Sequence, residues 1–109
     1  MIKAGTVTGT ASAQLLELGF IPDFFILVNQ TQVKVYMWEA NMTDAYAFKI
    51  ETASTANAMI TSGGFTKVTT GGAPTVSSGT TPGTGVGLTL GQTALANSDV
   101  ANYIAIKSG

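Results

Sequence analysis

Alternation with a period of two recurs along this chain, and no window carries the 3.6-residue apolar stripe of an amphipathic helix. The clearest cases are Val33, Val35 and Met37 set against Lys34, Tyr36 and Trp38, then Tyr46, Phe48 and Ile50 set against Ala45, Ala47 and Lys49. Residues on one side of a strand repeat every second position, so each such run is a strand with two distinct faces. Further runs cover Ile2–Thr10, Gln14–Leu18, Phe24–Asn29, Ala58–Thr61, Phe65–Thr69, Val86–Leu90 and Val100–Lys107. Turn residues punctuate them: Gly19 and Pro22-Asp23, the Asn41–Asp44 run, and Ser62-Gly63-Gly64. Eight or nine short strands at this spacing predict an all-β domain, an antiparallel β-sandwich of jelly-roll-like form.

Composition agrees. Thr, Ser and Gly together make up about a third of the 109 residues, and hydrophobic residues a further 45%. One domain spanning 1–109 is expected, with 1–10 as a possible N-terminal arm. Residues 71–85 read GGAPTVSSGTTPGTG and offer burial little beyond Val76, which predicts a flexible loop. Phe24–Val28 is apolar at every position, so it either lies centrally in a sandwich or shows one face to the core and the other to a partner subunit.

Several chemistries are excluded by the residues present. There is no His and no Cys, which removes imidazole relays, thiol chemistry and the usual zinc, haem and iron–sulfur ligands. No cofactor and no metal are expected. Five lysines, no arginine and a net charge of −1 make a poor phosphate-neutralising surface, so nucleic acid is not expected as a partner. The longest apolar run, Phe24–Val28, is far too short to span a bilayer, and the first residues lack the apolar segment of a secretory leader.

The remaining candidate motifs are weak. Glu17, Asp23, Glu39, Asp44, Glu51 and Asp99 sit at strand ends and turns, without a spacing that demands a catalytic pair. Asn41–Asp44 and Asn97–Asp99 carry oxygen ligands but not the calcium-loop pattern, and read as turn caps. Asn29-Gln30-Thr31 and Asn41-Met42-Thr43 fit the glycosylation pattern and are expected to be silent. Gly83-Thr84-Gly85-Val86-Gly87 resembles a phosphate loop, but a strand follows it where the motif needs a helix. Trp38, Tyr36 and Tyr46 could form a sugar-stacking platform; a Trp on an alternating strand is read first as core. No enzyme is expected.

Charged residues are only 10%, so the apolar content outruns what a small monomer hides easily. This predicts an oligomer, with Phe25, Leu27, Tyr36 and Trp38 at the subunit interface.

Certain blocks, in their order, resemble short virion proteins of tailed bacteriophages. They are Gly19–Phe25 leading to Val28–Thr31, Tyr36–Glu39 with Asn41-Met42, Ile60–Phe65, Gly87–Gly91, and Asn102–Ala105. With the segments between them, the blocks span about two-thirds of the chain and leave out the first eighteen residues and residues 71–85. The resemblance implies a non-enzymatic capsid decoration (cement) protein on the outer head surface, made in the host cytoplasm. Its implied partners are the major capsid protein and other copies of itself, as a homotrimer on three-fold axes. The N-terminal strand supplies the candidate capsid contact, Ile2, Lys3, Ala4, Thr6, Val7 and Thr8 acting by strand addition; the other reading of the segment is an ordinary first strand paired inside its own sheet. The alternative is a carbohydrate- or receptor-binding β-sandwich of a phage tail or head fibre.

Overall fold

The computed structural model describes residues 1–51, 57–68 and 86–108. The loop expected at 71–85 lies outside the described residues. Eight strands are present: β1 (Ile2–Thr8), β2 (Gln14–Glu17), β3 (Phe24–Asn29), β4 (Lys34–Glu39), β5 (Tyr46–Glu51), β6 (Ala58–Val68), β7 (Gly87–Leu90) and β8 (Val100–Ile106). Among the described residues there is no helix.

All eight strands hydrogen-bond into one antiparallel sheet in the order β1-β8-β3-β4-β5-β6-β7-β2, curled into a half-barrel. The sequence rhythm suggested two stacked sheets; the described strands form a single curved one. Strands β3 to β7 are a plain meander, and β8 inserts between β1 and β3. The two ends of the sheet are joined at one corner by Gln14. Its amide donates to the Thr8 carbonyl at 3.1 Å and accepts from the Thr10 N–H at 2.9 Å.

The concave face holds the core. Phe25 and Leu27 of β3, Tyr36 and Trp38 of β4, Ala101, Tyr103 and Ala105 of β8, and Val7 of β1 all point inward. Leu16, Leu18, Leu88, Leu90, Leu95 and Phe65 fill the rest. Phe25 sits at the centre, edge-on to Phe65 at 5.0 Å between ring centroids and stacked with Tyr103 at 5.9 Å.

Ser62-Gly63-Gly64 does not separate two strands as the sequence suggested. β6 runs straight through, and its register against β5 jumps from Tyr46↔Phe65 to Ala47↔Ile60. The extra residues form a bulge docked on the loop after β7: the Gly91 N–H donates to the Gly64 carbonyl at 2.8 Å and the Ala94 N–H to the Gly63 carbonyl at 3.0 Å. Gly63 has φ +74°, and a β-carbon there would collide with the Thr93 side chain. Gly63→Ala is therefore expected to lower stability by about 3 kcal/mol, read as an earlier urea midpoint at unchanged slope.

Candidate functional site

Two features stand out: a polar network at one end of the concave face, and the chemistry of the convex face.

The network is centred on Asp99. Its Oδ2 accepts from Asn29 Nδ2 at 3.0 Å, Gln32 Nε2 at 2.8 Å and the Ala96 N–H at 2.9 Å. Asn29 also donates to the Ala94 carbonyl at 2.8 Å and accepts from the Gln32 N–H at 2.9 Å. The Tyr36 hydroxyl donates toward Gln32 Oε1 at 2.7 Å, with the Thr93 carbonyl 3.1 Å away. Val33 follows Gln32 with φ +59°, an unfavourable conformation for a β-branched residue. Beside the network, Glu51 accepts from Lys34 at 3.2 Å and Lys49 at 3.0 Å.

Burial on its own would raise the Asp99 pKa; the hydrogen bonds from Asn29, Ala96 and Gln32 outweigh it and hold the carboxyl below its usual range. Burial, with the charges of Glu51 and Asp99, pushes Tyr36 up to about 12. The network thus holds a carboxylate and a protonated phenol, both hydrogen-bonded to their neighbours. It ties the β3–β4 turn to the segment between β7 and β8. Its chemistry is that of a brace.

The other carboxylates lie elsewhere. Asp23 accepts from the Ser108 N–H at 2.7 Å and hydroxyl at 2.9 Å, which lowers its pKa. Glu39 accepts from Asn41 at 3.2 Å. Among the described residues, no group of three or more Asp or Glu could hold a metal ion. Likewise among them, no helix is long and apolar enough to cross a membrane. Asn29, the first residue of one glycosylation pattern, is wholly buried.

The convex face is apolar where an antiparallel sheet usually turns polar side chains to water. Ala4, Ile104, Ile26, Met37, Phe48 and Met59 are successive partners across six strands. A second row runs Thr6, Asn102, Val28, Val35, Ile50, and a third Ile2, Ile106, Phe24, Glu39. Glu39 is the one charged residue in the three rows. Ile104 and Met59 are each 45% exposed, Val28 42% and Ile106 38%. An outer face this rich in apolar side chains is a candidate contact surface.

This placement corrects the expected interface. Phe25, Leu27, Tyr36 and Trp38 lie inside the protomer, at most 1% exposed, and offer nothing to a second copy. The outward residues of the same strands are Phe24, Ile26, Val28, Val35, Met37 and Glu39. Both faces of β3 are apolar, so its pattern could not reveal which one turns inward. The bulk of Trp38 and Tyr36 was the available signal, since large aromatics fill cores first.

The expected capsid-contact strand divides in the same way. Ile2, Ala4, Thr6 and Thr8 face outward and are exposed, as is Lys3, whereas Val7 is buried in the core. Nor is the segment a loose arm: β1 pairs with β8 along its whole length. Trp38, proposed for sugar stacking, has no exposed surface, and its indole N–H has no hydrogen-bond partner among the described residues.

The fold and its faces define a small all-β half-barrel with a braced interior and an apolar convex face. No protein-family model matches this chain, and neither the curated proteins nor the solved structures give a match.

Proposed function

We propose that this chain is a bacteriophage virion structural protein, a capsid decoration (cement) protein that docks on the outer head surface and stabilises contacts between capsomers. The observation that carries the reading is the convex face, three rows wide with Glu39 as its one charge. Docking through such a face depends on apolar burial rather than on ion pairs, so added salt should not displace it. A protein without His or Cys also keeps its charge and redox state through changes near neutral pH. The major capsid protein is the proposed partner, and the head surface the proposed location.

The carbohydrate-binding alternative needs aromatic faces in water. Of the aromatics considered for it, Trp38 and Tyr36 are interior and Tyr46 is half-buried. That weakens it.

The test is rebinding. Heads stripped of this protein are mixed with the purified chain and sedimented at low and high salt. The proposal expects saturable co-sedimentation that survives high salt; protein left in the supernatant at every concentration would refute it.

A further inference from the structure

We infer that β1 is a docking edge for a second copy of this chain, the two β1 strands pairing antiparallel about a two-fold axis. The inference is independent of the capsid proposal and rests on which backbone groups β1 leaves free.

The terminal residues fix the alternation. The Met1 amino group donates to the Lys107 carbonyl at 2.6 Å, and the Lys107 N–H to the Met1 carbonyl at 2.8 Å. Positions 1 and 107 are thus a hydrogen-bonded pair, and so, in register, are 3 and 105, 5 and 103, 7 and 101. At the far end the Gly9 N–H donates to the Asp99 carbonyl at 2.8 Å, in the same phase. Odd residues therefore bond to β8, and even residues aim their N–H and C=O groups away from it. Thr8 confirms the phase, since its carbonyl takes the Gln14 side chain instead. The N–H and C=O groups of Ile2, Ala4 and Thr6 are left as an open ladder on exposed residues.

A second copy fits this edge. Centred on Ala4, an antiparallel pair sets Ala4 against Ala4 and Ile2 against Thr6, so all three residues on each strand find partners. Lys3, the one charged side chain of β1, then lies opposite Gly5, which has no side chain to obstruct it. Like charges do not meet. Pairing also joins the convex row beginning at Ala4 and Ile104 to the same row of the other copy, making one apolar band.

Symmetry favours a pair over the trimer expected from the sequence. A ring built through sheet edges needs two different free edges that complement each other. At the other end of the sheet, Leu15 and Glu17 of β2 have interactions of their own. The edge of β1 has only its own kind to meet. A pair held by one short strand from each copy belongs with small, transient interfaces, so it should be reversible and fill between micromolar and millimolar concentration.

The experiment uses the full chain, followed by sedimentation equilibrium and by amide exchange from micromolar to millimolar concentration. The expected result is a reversible dimer, with exchange at Ala4 and Thr6 slowing on the order of tenfold as it fills. Ala4→Pro removes an N–H that β8 does not use, so it should keep the fold and abolish the dimer. Should that variant fail to fold, the Ala4 and Thr6 amides of the unaltered chain still decide. A monomer throughout, a trimer, or a dimer in which both amides exchange freely would overturn the inference.

Discussion

Asp99→Ala is expected to lower stability by about 3 kcal/mol, a drop in Tm of roughly 10–20 °C for a domain of this size. The reason is the number of donors that share one oxygen. Removing the carboxylate leaves the Ala96 N–H without its side-chain acceptor and takes a partner from both Asn29, which is wholly buried, and Gln32. Asp99→Asn keeps an oxygen that can occupy the same place, so its loss should be smaller, about 1 kcal/mol. The two variants also differ in acid. The folded pKa of Asp99 lies below its unfolded value, so the unfolded chain takes up the proton first. The stability that follows is fully present above the ordinary carboxylate pKa, roughly pH 4, and is lost as pH falls through the lower folded value. Asp23, lowered by its bonds to Ser108, adds to the same slope. With no His in the chain, stability should be flat from about pH 5 to 8. In Asp99→Asn the Asp99 part of the acid slope disappears. Thermal melts at pH 7 and pH 3 check both statements.

The second large effect concerns binding. Val28→Lys with Ile104→Lys places two charges in the middle of the convex face, on adjoining strands but not on directly paired residues. Each side chain is more than a third exposed, so the long lysine can reach water and the loss of stability should stay within about 1 kcal/mol. Head binding should fall at least tenfold, because a buried lysine without a partner forfeits the apolar contact and pays for desolvation. A control pair on the concave face is impossible, since those residues are core. Lys3→Ala, exposed at the edge of the sheet, serves instead and should bind like the unaltered chain. Normal head binding by the double-lysine protein would move the docking surface elsewhere.

How much of this was legible follows from the range over which each signal acts. Alternation is local, and β3, β4, β5, β7 and β8 fall where it places them, within a residue or two. β6 is the exception. Gly63 and Gly64 look like a strand break because glycine permits a turn, but here they permit a bulge and the close approach of Gly91. The choice between inner and outer face was ambiguous wherever both were apolar, as in Phe24–Val28, and that ambiguity sent Phe25, Leu27, Tyr36 and Trp38 to an interface. The Asp99 network was invisible for another reason. Asn29 and Gln32 lie about seventy residues from Asp99 in the chain, and none of the three carries a local signal of the others. Only the insertion of β8 beside β3 brings them together.

The central claim is that the convex face, not an edge or an end of the barrel, lies against the head. Hydroxyl-radical footprinting of the protein free and bound to stripped heads reads this directly, because labelling follows side-chain exposure. Met59, Ile104, Ile106 and Val28 are exposed in the free protein and should lose most of their labelling on binding. Val33, 59% exposed in the β3–β4 turn and outside the three rows, should keep its own. Unchanged labelling at Met59 and Ile104, with protection at Val33 instead, would contradict the account.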